Sequence, residues 1–128
     1  NSIVMLGHPI LTALDADHPV SFSKKVVTGL LREKWSYDGL LITDDISMDA
    51  VTQSGDGVRG AVVKALDAGV DLILIAYDTD LYYPVMKALL DAAKSGRLTK
   101  EAIVAGSHRL KRDGLNPSIG ESLTLNDK

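Results

Sequence analysis

Cysteine is absent from the 128 residues, which excludes disulfides and thiolate metal sites but leaves the compartment open, since many exported proteins also lack it. Long apolar runs are absent as well. Nothing approaches the roughly 20 residues that span a bilayer, and the amino terminus has neither a basic n-region nor an apolar h-region with a cleavage site, so no membrane segment is expected. Charge of one sign is nowhere gathered: 14 Lys and Arg are scattered among 17 Asp and Glu for a net charge of −3, with no basic stripe for a nucleic-acid partner. Glycine-rich phosphate loops and the His/Glu spacing of a zinc site are missing too, and neither cofactor nor metal is expected. What is present is ordinary, 45% hydrophobic and 24% charged, and long enough for one small domain with a core.

Three apolar runs of strand length punctuate the chain. Ser2-Ile3-Val4-Met5-Leu6 reads as a short buried strand ended by Gly7-His8-Pro9, where proline biases His8 toward an extended conformation. Gly39-Leu40-Leu41-Ile42-Thr43 follows the turn signal Tyr37-Asp38, and its lack of polar alternation fits a strand covered on both faces. Val70 to Ala76 reads as a third buried strand. Between and after them come helical patterns: Lys24 to about Lys34, capped by Ser21 or Ser23; Val58 to Ala68, with Gly69 at C′; a helix starting near Pro84 and stopped by Gly96; and a last one from Thr99 to Asp113-Gly114. Leu11 to Val20 reads as a loop, and Ile46 to Gly57 as a loop or short broken helix. This alternation is that of parallel βα units. The expected class is α/β, either a small doubly wound parallel domain or a piece of a (β/α)8 barrel.

In parallel sheets ligands meet the carboxyl ends of strands, and the second run leads straight into Asp44 and Asp45. Adjacent residues of an extended chain point to opposite sides, so only one of the two faces a ligand well. A carboxylate in that place serves as nucleophile, general base or hard-metal ligand, or simply caps the next segment. His8 is a second polar residue at a strand end, either a loop histidine or a ligand-facing hydrogen-bonding group. Asp78 and Asp80, at the carboxyl end of the third run, could touch a ligand, but as loop and helix-capping residues they need no such role.

The string Ile42-Thr43-Asp44-Asp45-Ile46-Ser47-Met48-Asp49-Ala50 resembles the nucleophile motif of family 3 glycoside hydrolases, in particular their β-N-acetylglucosaminidase branch. The likeness extends through Met5-Leu6-Gly7-His8, through Asp15 with Pro19, Ser21 and Ser23, through Leu30-Leu31-Arg32 and Gly39, and through Ala65, Ala68-Gly69 and Asp71, covering about residues 3 to 112 in order. The resemblance implies that Asp44 is the nucleophile of a retaining hydrolase acting on β-linked N-acetylglucosamine from cell-wall-derived glycans, through a covalent glycosyl-enzyme intermediate. It implies a supporting place for Asp45, and sugar-pocket positions for His8, Asp45 and Met48.

The same resemblance implies that much of the fold lies outside these residues. A complete barrel needs eight strands and about 250 residues, and the three runs correspond to its last three βα units. The family's K-H-F-P-G-H-G string and the D-x-H loop bearing the general acid/base have no counterpart here, and His18 belongs to a different segment. Residues 1–115 are therefore expected to be the carboxyl-terminal part of a catalytic barrel and 116–128 a polar tail. The chain opens without Met, and a piece of a longer enzyme is expected, inactive alone and completed by the remaining amino-terminal part of the barrel. Its other partner is a carbohydrate substrate. The competing readings are a β-glucosidase of the same family and a non-catalytic Mg²⁺-binding α/β module. The module lacks its usual lysine at a strand end, since Lys64 and Lys87 both fall on helices. Compartment stays unassigned, the cytoplasm being slightly favoured.

Overall fold

Two short parallel strands carry the architecture: β1 (Ile3–Leu6) and β2 (Leu40–Thr43) pair with Ile3 opposite Leu40 and Leu6 opposite Thr43. The structure is a computed structural model that describes residues 2–52, 55 and 57–115; the polar tail expected over 116–128 lies outside the described residues. A 3₁₀ turn (Val20–Phe22) and a helix over Lys25–Lys34 connect the strands. After β2 come α1 (Asp49–Thr52), α2 (Gly57–Ala68), a 3₁₀ turn (Thr79–Leu81), α3 (Tyr82–Ser95) and α4 (Lys100–Arg112). The fold is thus α/β, a small parallel sheet with helices packed on it. Among the described residues, no helix is long and apolar enough to cross a membrane.

The helix boundaries follow their terminal chemistry. Thr99 caps α4, its hydroxyl accepting from the Ala102 N–H at 3.2 Å. α2 ends in a full Schellman turn: Gly69 sits at φ +112°, its N–H donates to the Leu66 carbonyl, and the Val70 N–H reaches back to Ala65. A Cβ on Gly69 would come within 3.3 Å of the Val27 side chain, so this turn takes glycine for both its conformation and its space. The Lys25–Lys34 helix departs from the expected α period. It is wound as a π-helix, and the Trp35 N–H after it donates five residues back to the Leu30 carbonyl.

α2 packs between α3 and the Val20–Phe22 turn, and Val62, Ala65 and Ala68 on its inner face are buried together with Val27, Leu41, Ile46 and Val51. Burial of each large aliphatic side chain contributes about 1.5–3 kcal/mol. Ile46 and Val51 lie just past β2, so the loop after the acidic pair is pinned from below by the core.

Two expectations are corrected. β1 is a strand but buried only at its carboxyl end: Ile3 is 56% and Met5 53% exposed, while Leu6 reaches the core, and only β2 pairs with it among the described residues. The run Val70 to Ala76 lies beside β2 but does not form a regular strand. It makes one parallel bridge, Leu72 opposite Ile42, with Leu72 bonded to the Leu41 carbonyl and the Thr43 N–H. The next rung fails because the Thr43 hydroxyl takes the Leu74 N–H at 3.1 Å, and the Leu74 carbonyl accepts from Ile46 instead of Asp45. Side chain competes with backbone here, and the ladder ends where the acidic pair begins.

At the opposite end of β2 a buried ion cluster ties helices to sheet. Asp71, its carboxylate fully buried, accepts from Arg32 Nη2 (2.8 Å), Arg109 Nε (2.7 Å) and the Leu41 N–H (2.9 Å). Arg32 also donates to the carbonyls of Tyr37, Gly39 and Gly69, closing the turns on both sides of β2.

Candidate active site

Asp44 stands at the carboxyl end of β2, its N–H still in the ladder through the Leu6 carbonyl (2.8 Å). Its side chain is half-buried. Oδ1 accepts from the Asp45 N–H at 2.7 Å, while Oδ2 has no protein partner among the described residues. The neighbour differs. Asp45 accepts four bonds, from the Ser47 N–H (3.1 Å) and Ala76 N–H (3.1 Å) on Oδ1 and from the Ser47 hydroxyl (2.6 Å) and Tyr77 N–H (3.2 Å) on Oδ2. Burial alone raises the Asp45 pKa, but these four donors outweigh it and hold the carboxyl below the ordinary carboxylate value. One carboxylate is therefore a structural clasp between the β2 end and segment 76–77, and the other keeps an oxygen open.

A match to the Glycosyl hydrolase family 3 N terminal domain runs over residues 1–112. The chain belongs to glycosyl hydrolase family 3. Among similar proteins of this family, the β-hexosaminidase of Methylococcus capsulatus is 30% identical over 113 residues, 88% of this chain and 33% of the relative. That of Xanthomonas oryzae pv. oryzae is 30% identical over 123 residues, 94% of this chain and 35% of the relative. Of solved structures, the family 3 β-N-acetylglucosaminidase from Paenibacillus sp. str. FPU-7 aligns with a TM-score of 0.81 at 35% identity, over 86% of this chain and 21% of that one. The β-N-acetylglucosaminidase from Thermotoga maritima aligns at 0.80 and 26% identity, over 96% and 28%. The chain spans about a third or less of these family 3 relatives.

In this family 3 chain the support beneath Asp45 comes from the first βα unit. His8 is buried, stacked on Phe22, with Nδ1 2.6 Å from the Ser21 hydroxyl and Nε2 3.1 Å from the Asp45 carbonyl. A carbonyl only accepts, so Nε2 carries the proton and, in the neutral ring, Nδ1 accepts from Ser21. As placed, His8 has no ring nitrogen left for a ligand; it holds the backbone of the acidic pair. Met48, in the turn after Asp45, is 44% exposed, and its N–H donates to the same Asp45 carbonyl at 3.3 Å. From sequence Ser21 is a candidate helix cap and Ser47 a member of the acidic string, with no partner expected for either hydroxyl. The Asp45-x-Ser47 spacing, an Asx turn, carries a usable signal for the second; nothing local reveals the first, whose partner is 13 residues away.

The second serine of the Ser21-x-Ser23 pair serves the loop in front. Buried Asp15 accepts from the Ser23 hydroxyl (2.7 Å), the Asp17 N–H (3.1 Å) and His18 Nδ1 (3.2 Å), and the Ser23 oxygen in turn accepts from the Val26 N–H. The Ser23 bond, opposed by burial and joined by Asp17 and His18, lowers the Asp15 carboxyl from 3.8 to about 2. A depressed native pKa stabilises the fold above the unfolded value and loses that contribution as pH falls through the native one. Asp15→Asn is thus expected to flatten the acid limb of stability between pH 3.8 and about 2. Unfolding midpoints measured across that window check it; identical limbs in both proteins would refute it.

Proposed function

We propose that this chain is the carboxyl-terminal part of a (β/α)8 catalytic domain, residues 1–115, in a retaining glycoside hydrolase that removes β-linked N-acetylglucosamine, with cell-wall-derived glycans as its source. The observation that carries the reading is the division of labour at the end of β2, where Asp45 is saturated by protein donors and Asp44 is held by one bond with its second oxygen open. That arrangement suits a nucleophile. Asp44 attacks the anomeric carbon as the glycosidic bond breaks, giving a covalent glycosyl-enzyme, and water then displaces the carboxylate with net retention. The names of the relatives, β-hexosaminidase and β-N-acetylglucosaminidase, support the sugar.

The general acid/base belongs to the rest of the enzyme, which also covers the open edge of β1 and its exposed Ile3 and Met5. Ile3 and Met5 share one face of this edge strand, and that exposed face calls for such a neighbour. The isolated 128 residues are accordingly inactive. The test is hydrolysis by the full-length parent of aryl β-N-acetylglucosaminide against aryl β-glucoside. Preference for the first is expected, and preference for the glucoside would place the enzyme among the family's β-glucosidases.

A further inference from the structure

Aromatic residues are scarce in this chain, at 5%, yet three of its four tyrosines fall between positions 77 and 83. Tyr77 is 91%, Tyr82 46% and Tyr83 80% exposed. They add nothing to the core. Tyr37, the fourth, is used structurally, its hydroxyl donating to the Ser2 carbonyl at 2.9 Å. A single exposed aromatic residue needs no explanation, but three in seven residues form a surface feature.

Their position is fixed by the candidate site. The Tyr77 N–H donates to Asp45, so the ring leaves the backbone beside the acidic pair. Adding the covalent reach of Asp45 to that bond puts the Tyr77 Cα within about 12 Å of the Asp44 Cα. Asp78 then stiffens the turn: its carboxylate accepts from the Asp80 N–H at 3.1 Å and its carbonyl from the Leu81 N–H. Tyr82 and Tyr83, at the start of α3, meet edge to face with centroids 5.4 Å apart and planes at 85°. Tyr77 is thus displayed beside the acidic pair, and Tyr82 and Tyr83 follow five and six residues further along the chain at the head of α3.

We infer that Tyr77, Tyr82 and Tyr83 form a binding platform for the sugar on the leaving-group side of the scissile bond, an inference that rests on the hydrolase reading above. A pyranose ring presents a face of axial C–H groups rimmed by hydroxyls. The negative face of a tyrosine ring attracts such C–H groups, and its phenol hydrogen-bonds at the rim. The exposed Asp78 and Asp80 add acceptors for sugar hydroxyls. The ring being cleaved must sit on Asp44 itself, so a platform at this remove takes the next residue along the glycan.

The experiment uses the full-length parent with two substrates, the β-1,4-linked trisaccharide of N-acetylglucosamine and N-acetylglucosaminyl fluoride, whose leaving group has no ring. Tyr77→Ala and Tyr83→Ala are expected to lower kcat/KM for the trisaccharide by about tenfold and to leave the fluoride within about twofold, with Tyr77→Phe close to the parent because the stacking face remains. An equal fall on both substrates would mean that the tyrosines pack against another part of the enzyme and would overturn the platform, as would no fall on either. If the unsubstituted parent cleaves neither substrate, the hydrolase reading itself fails, an outcome distinct from unaffected tyrosine variants in an active enzyme.

Discussion

Asp44→Asn in the full-length parent is expected to cut turnover of an aryl N-acetylglucosaminide by about a thousandfold or more, a loss of about 4 kcal/mol of transition-state stabilisation. The unfolding midpoint should barely move. Asparagine keeps an acceptor for the Asp45 N–H, the one bond the Asp44 side chain makes among the described residues, so the local fold has what it needs. What is lost is the charge that attacks the anomeric carbon, for an amide oxygen is a poor nucleophile and a poor leaving group from the glycosyl-enzyme.

Asp45→Asn gives the contrast that makes this result decisive. Its two oxygens face four donors, three of them backbone N–H groups that cannot turn around. An amide NH₂ in place of one oxygen meets at least one of those donors head-on, which costs about 1–3 kcal/mol of stability. Turnover then falls through misplacement of the loop and to a smaller extent than with Asp44→Asn. Equal, mild losses in the two variants would overturn the assignment of the nucleophile.

The helices of this chain were legible because their signals are local. Periodic Val62, Val63 and Leu66 with Gly69 behind them mark α2, and Thr99 marks the start of α4 as surely as Gly96 marks the end of α3. The strands were legible only in part. Apolarity told that Ile3 to Leu6 wants cover but not that Leu6 alone finds it in the core, and Val70 to Ala76 has the composition of a strand while one hydroxyl, that of Thr43, diverts its hydrogen bonds. At the site, the acidic pair was visible as a motif, but the asymmetry between Asp44 and Asp45 depends on segment 76–77, some 31 residues further on. The role of Asp71 was hidden for the same reason, since its arginine partners lie 39 and 38 residues away.

Asp71→Ala is accordingly expected to be the most destabilising single change among the described residues, by about 3–5 kcal/mol. Arg32 and Arg109, with side chains only 12% and 14% exposed, would both lose their counter-ion, and the Leu41 N–H would lose its acceptor at the start of β2. Burial already lowers the Arg32 pKa, with Asp71 opposing it, so removing the carboxylate leaves desolvation unopposed by its nearest negative charge. The exposed pair Lys87–Asp91 supplies the control: Lys87→Ala breaks a bond of similar length, 2.7 Å, at the surface, where water screens the charges, and should leave the unfolding midpoint unchanged. Thermal unfolding of the parent and both variants reads the difference. Because the Asp71 cluster closes the amino end of β2, opposite Asp44, the folded fraction of Asp71→Ala should retain kcat at low temperature. A fall in kcat as large as the fall in stability would mean that the cluster also shapes the catalytic end of the strand, and would refute the separation of anchoring from chemistry along β2.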